Sequence, residues 1–221
     1  MSDIAIDYQR ARINMVESQV KPGGVRNMDI WDVMSVIPRE LFVETSQKPV
    51  AYMDKQVAMS PERELLAPLT FALLIEAAGV QAGDLVMDVA CGTGYSTAVL
   101  AALGCAVVGV DQDEALCEAG SQILQDLGVD SGAIIHGSHA AGQAKQGPYD
   151  VILINGYVSV VPQNLLDQLA PGGRLVCVTT HNETSCGMIF TKINDSISQS
   201  VAFETLAAEV PGFEKELSFS F

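Results

Sequence analysis

The chain has 221 residues, 48% hydrophobic and 18% charged, with 27 acidic against 12 basic side chains and a formal net charge of −15. That length suits one domain with a sizeable core, and an acidic chain with scattered Lys and Arg excludes a phosphate-tracking surface, so neither nucleic acid nor an anionic membrane is an expected partner. No apolar run reaches the roughly 18 residues of a transmembrane helix; the start, Met1-Ser2-Asp3-Ile4, has no leader character; and five cysteines without C-x-x-C or histidine spacing read as reduced thiols in a cytoplasmic protein with no metal site.

Residues 4–20 read as a helix with a mixed apolar face, ended by Lys21-Pro22-Gly23-Gly24. A second helix is expected over 27–36 with Asn27 as its N-cap, then a short helical turn beginning at Pro38-Arg39-Glu40. Residues 44–63 are polar and read as irregular, with Pro49 and Pro61 as breakers. An apolar helix follows over 66–78. Residues 1–65 thus read as an N-terminal helical extension and loop, and 66–221 as the main domain. From there strands at 85–89, 106–110, 133–136, 150–154 and 173–179 alternate with helices at 95–103, 112–127 and 162–170. Such alternation predicts an α/β fold with a doubly wound, mostly parallel sheet covered on both faces. Residues 188–193, 202–209 and 217–221 look like strands of an antiparallel C-terminal edge.

The most informative stretch is Val86-Met87-Asp88-Val89-Ala90-Cys91-Gly92-Thr93-Gly94-Tyr95. It reads as a buried strand, a glycine turn and a helix start, with Gly92 and Gly94 letting the backbone approach a ligand. A second strand closes on Asp111, and an acid there accepts hydrogen bonds from ribose hydroxyls in nucleotide-binding α/β folds. The turn is not G-x-G-x-x-G and lacks the Lys-Ser/Thr of a P-loop, so it does not look built for a pyrophosphate.

Asp88-Val89-Ala90-Cys91-Gly92-Thr93-Gly94 resembles the first motif of class I S-adenosylmethionine-dependent methyltransferases, which are Rossmann-like. Three further blocks narrow the resemblance: Met15-Val16-Glu17-Ser18-Gln19-Val20, Ile37-Pro38-Arg39-Glu40-Leu41-Phe42-Val43 and Ala51-Tyr52-Met53-Asp54. Together with Pro148-Tyr149-Asp150-Val151-Ile152 and the run from Leu169 to Val176, they resemble the protein-L-isoaspartate O-methyltransferase family from about Met15 to Val178. That family methylates the carboxylate of isoaspartyl residues in damaged proteins. The resemblance implies S-adenosyl-L-methionine as cofactor, held by Asp88, Ala90, Gly92, Gly94, Tyr95, Asp111, Gln112, Gly137, Ser138 and Asn155. It implies a peptide or protein carrying isoaspartyl residues, or a small carboxylate, as acceptor.

The chain departs from that family where the acceptor is expected. The family's P-L-P-I-G-x-G-Q-T-I-S-Q-P aligns without a gap on residues 56–68, and its active-site hydroxyl falls on Leu66. Its Q-T pair falls on Arg63-Glu64, and its two loop glycines fall on Ser60 and Glu62. A carboxylate is already a nucleophile, so positioning supplies most of the rate. Arg63, Ser60 and Thr70 are the nearby donors, and a guanidinium holds a carboxylate bidentately; Arg63 and Ser60 are therefore the candidate catalytic residues. Gly137-Ser138-His139 replaces the family's Gly-Asp-Gly after the third strand. Among His136, His139 and His181, His139 is the best placed as a base, although carboxylate methylation needs none. The altered loop leaves two other readings: a methyltransferase for a different acceptor, and a non-catalytic S-adenosylmethionine-binding regulator.

Overall fold

The computed structural model describes residues 6–194 and 196–213; the strand expected over 217–221 lies outside them. A seven-stranded sheet carries the fold, in the order β5-β4-β3-β6-β7-β8-β9. Its strands are β3 (Leu85–Val89), β4 (Ala106–Asp111), β5 (Gly132–His136), β6 (Tyr149–Tyr157), β7 (Leu169–His181), β8 (Thr184–Ile193) and β9 (Ser196–Glu204). The first five of these run parallel, and β8 and β9 are antiparallel additions at one edge. The parallel strands are apolar because helices cover both faces: Val86, Met87, Val89, Val151, Ile152 and Ile154 are all buried.

The helices are α1 (Tyr8–Met15), α2 (Met28–Val36), α3 (Pro68–Ala78), α4 (Tyr95–Ala102), α5 (Glu114–Asp126) and α6 (Gln163–Asp167). Their ends follow local chemistry. Asp7 caps α1 by accepting from the Arg10 N–H, Asn27 caps α2 through the Asp29 N–H, and Asp113 caps α5 through Ala115 and Leu116. Pro68 opens α3 and left-handed Gly79 closes it. The first helix continues past Met15 as a π-helical turn, Val16–Val20.

Three expectations differ from the structure. The 44–63 stretch is not all irregular: Thr45–Val50 is a 3-10 turn, and a small hairpin pairs β1 (Val57–Ser60) with β2 (Arg63–Leu65). The helix expected over 162–170 stops at Asp167, because Leu169 is already paired with Tyr149 in β7. The edge strand expected over 202–209 is instead Ser196–Glu204.

The N-terminal helices share one apolar core with the sheet: Val16, Val20, Ile30 and Met34 belong to the same buried cluster as Phe71, Val86 and Val176. Two of the sequence blocks lock this layer together. Arg39 is fully buried; its Nε donates to the Ala51 carbonyl at 2.7 Å and its Nη2 to the Leu66 carbonyl at 2.5 Å. It lies 4.9 Å from the centroid of the Tyr95 ring. Glu40 receives the Tyr52 hydroxyl and, at 3.4 Å, the Arg12 guanidinium.

Candidate functional site

In an open α/β sheet, ligands bind at the carboxyl ends of the strands where the strand order reverses. Here that point lies between β3 and β6, and the glycine turn sits there. Ala90 has φ +57°, Gly92 +55° and Gly94 +87°. Three left-handed residues in five fold the chain back sharply from β3 into α4, and two of them are glycines for that reason.

Asp88 faces the inside of this turn rather than a cleft. Its carboxylate accepts from the Ser96 hydroxyl at 2.7 Å, the Thr97 hydroxyl at 2.6 Å and the Asn155 amide at 2.6 Å. Asn155 also donates to the Val89 carbonyl at 3.0 Å, so it staples β6 to β3 across the switch point. Burial pushes Asp88 up to about 6, against the pull of its three donors. Tyr95 is likewise interior: its ring packs 5.5 Å from both Phe42 and Phe71. Gly94 points inward, where an added Cβ would sit 2.7 Å from Ile134 Cδ1.

Asp111 is the centre of the site, and it is fully buried. Its Oδ2 accepts from the Gly92 N–H at 2.7 Å and its Oδ1 from the Asp113 N–H at 3.0 Å. Arg63 Nη1, reaching over from β2, donates to both oxygens, at 3.4 Å and 3.1 Å. His139 Nε2 lies 3.3 Å from Oδ1. Burial alone would raise this carboxyl, but the Arg63 guanidinium and the Asp113 N–H outweigh it and hold it below the usual carboxylate range.

Arg63 is therefore not a solvated arginine. It is 6% exposed, and its Nη2 donates to the Ala90 carbonyl at 2.9 Å. Ser60 stands opposite it in the hairpin and is half-buried. Met59, from the same hairpin, covers the turn: a Cβ on Gly92 would fall 2.6 Å from Met59 Cε. Leu66 is buried just past the hairpin, and the Thr70 hydroxyl is spent on Thr205 at 2.9 Å.

The far end of the site is closed by the segment after β9. Tyr157 donates to the Ala208 carbonyl and receives the Val210 N–H, which brings residues 208–213 across the strand ends. His139 Nδ1 lies 2.8 Å from the Pro211 carbonyl. A carbonyl only accepts, so Nδ1 carries the proton and Nε2 accepts from the Gln112 N–H at 3.1 Å. The Phe213 ring stacks on His139 with centroids 6.3 Å apart. Gly137 is half-buried, its N–H on the Asp111 carbonyl, whereas Gln112 and Ser138 are exposed. The exposed His136 ring hydrogen-bonds the Gln112 carbonyl, and His181 is exposed.

The structure thus brings Arg63, Ala90, Gly92, Asp111 and His139 together, and it turns Asp88, Tyr95 and Gly94 inward. Sequence reasoning missed Met59, Pro211 and Phe213. All three act through contacts distant in sequence, which no local pattern announces.

Residues 10–210 match the family described as Protein-L-isoaspartate(D-aspartate) O-methyltransferase (PCMT). A protein-L-isoaspartate O-methyltransferase of Methylorubrum extorquens is 37% identical over 170 residues, covering 77% of this chain and 74% of its own. One from Syntrophus aciditrophicus is 31% identical over 192 residues, covering 87% and 88%. A putative protein-L-isoaspartate O-methyltransferase of Plasmodium falciparum, solved with S-adenosyl-L-homocysteine, superposes with a TM-score of 0.79 at 21% identity, covering 91% of this chain and 98% of its own. The sheet order, the glycine turn at the switch point and the match over nearly the whole described chain agree: the chain belongs to the protein-L-isoaspartate O-methyltransferase family.

Proposed function

We propose that the chain is an S-adenosylmethionine-dependent methyltransferase acting on a carboxylate of the isoaspartyl type in a protein or peptide. The observation that carries this reading is the frame at the switch point. A left-handed glycine turn stands beside a buried acid at the end of the next strand, inside a chain of this family. The backbone of that frame fits the cofactor: Gly92 offers no side chain to the approaching ligand, and Asp111 is an ionised acceptor beside it. When bound, S-adenosylmethionine would supply the electrophilic methyl group. The chain's own part is to bind, to orient and to keep water out, since the acceptor carboxylate needs no base. Ala90, Gly92, Asp111, Gln112, Gly137 and Ser138 are the proposed cofactor-facing set, with Asp88, Tyr95 and Asn155 holding the turn in shape from behind. The five free thiols, all buried, support a reducing, cytoplasmic setting.

One observation favours a weak or altered acceptor preference. Leu66 brings no hydroxyl to the acceptor loop, and a carboxylate-holding role for Arg63 requires it to leave Asp111. The test is transfer of a labelled methyl from S-adenosylmethionine to an isoaspartyl peptide and to its aspartyl twin, scored as base-labile ester. Ester on the isoaspartyl peptide alone supports the reading. Ester on neither peptide, with cofactor bound, removes the isoaspartyl acceptor and leaves another acceptor or a non-catalytic binder.

A further inference from the structure

A carboxylate has about four lone-pair sites, and those of Asp111 are all in use. The Gly92 and Asp113 N–H groups belong to the turn and strand end themselves, so they remain whenever the frame is intact. The other two contacts both come from Arg63 Nη1, which reaches over from elsewhere in the chain. A ribose diol placed at Asp111 meets a guanidinium already in its place. The face of Gly92 that a ligand would approach is filled as well, by Met59. Arg63 and Met59 sit on opposite strands of one hairpin, with Ser60 paired to Arg63.

We propose that the β1–β2 hairpin is an internal occupant of the cofactor site, with Arg63 competing with the ligand's ribose for Asp111. This rests on the cofactor reading above. The hairpin has the build of an element that can leave. It is a separate two-stranded sheet with a register shift between Ala58 and Ser60, and such pairs are marginal on their own. A single outward swing removes both Arg63 and Met59. Glu62 and Glu64 flank Arg63 and are exposed, so the withdrawn guanidinium has carboxylates beside it in water. The segment ending at Phe213 is a second latch on the same lock: it grips His139, whose Nε2 lies 3.4 Å from Arg63 Nη1. A ligand that binds only the open form has its apparent affinity reduced by the fraction of open molecules.

The experiment is calorimetric titration of S-adenosylhomocysteine into the wild type, Arg63→Ala and Arg63→Gln, with hydrogen exchange of residues 57–65 in the wild type with and without ligand. The proposal expects both variants to bind at least about tenfold tighter than the wild type. It also expects the hairpin amides to exchange faster in the ligand-bound wild type. Equal or weaker binding by the variants, with the wild type binding, overturns the competition and leaves the cofactor reading standing. Absence of binding in all three proteins overturns the cofactor reading and the competition with it. Should Arg63→Ala fail to fold, Arg63→Gln and the wild-type exchange decide: unchanged or slower hairpin exchange on binding overturns the proposal.

Discussion

Removing Asp111 and removing Arg63 are not equivalent perturbations, although the two side chains form one ion pair. Arg63→Ala leaves Asp111 with the Gly92 and Asp113 N–H groups at 2.7 and 3.0 Å. The loss is that of a charged hydrogen-bonding partner, about 1.5–3 kcal/mol. Asp111→Ala leaves the Arg63 guanidinium, 6% exposed, with the Ala90 carbonyl and His139 Nε2 but no opposite charge, and it orphans two backbone donors as well. Breaking a buried pair from that side costs about 3–5 kcal/mol. The double variant removes the stranded charge, so its cost falls below the sum of the two singles by about 1–3 kcal/mol. Urea unfolding of the four proteins, fitted with a shared slope, measures all three quantities. Additivity within about 0.5 kcal/mol, or a larger loss for Arg63→Ala than for Asp111→Ala, would refute the pairing at the centre of the site.

The two buried acids make opposite contributions to the pH dependence of stability. Asp88, raised to about 6 in the fold, favours folding fully below the usual carboxylate range and loses that contribution as pH rises through about 6. The change is roughly 3 kcal/mol, and Asp88→Asn should flatten the stability curve between about pH 4 and pH 6. Asp111, lowered below the usual carboxylate range, contributes above the usual carboxylate value and loses it as pH falls through its own lowered value. A stability curve followed by urea unfolding that rises between about pH 4 and pH 6 and is unchanged by Asp88→Asn contradicts the first assignment. Gly92→Val places a β-branched residue at φ +55° against Met59; a loss of about 1–3 kcal/mol and of S-adenosylhomocysteine binding is expected, read by thermal melting and calorimetry. Leu66→Ser exchanges a buried leucine for the family's hydroxyl, so isoaspartyl methylation should rise while stability falls by about 2–4 kcal/mol. A peptide assay in which the variant gains nothing places the acceptor hydroxyl elsewhere.

Much of the frame was legible because its signals are local. Buried strands at 85–89 and 106–110, the glycines between them and the acid after the second are one continuous stretch, and the sequence periods alone place them. The cap Asn27 carries its own chemistry for the same reason. The interior of the site was not legible. Arg63 and Asp111 are 48 residues apart, and the hairpin that joins them reads as irregular because Pro61 and four charged or hydroxyl neighbours mask one short apolar pair, Val57 with Leu65, and Met59 near it. The inward turn of Asp88 depends on Ser96 and Thr97 across the glycine turn, residues that read as ordinary members of α4. The Phe213 latch depends on the chain returning over β6 after an edge strand that periodicity put at 202–209 and that runs instead over Ser196–Glu204.

If the switch-point frame is an S-adenosylmethionine site, calorimetry of the wild-type chain finds one site for S-adenosylhomocysteine, lost in Asp111→Ala, and weaker or no binding of NAD. Tighter binding of NAD, or S-adenosylhomocysteine binding that survives Asp111→Ala unchanged, means that the frame is not that site.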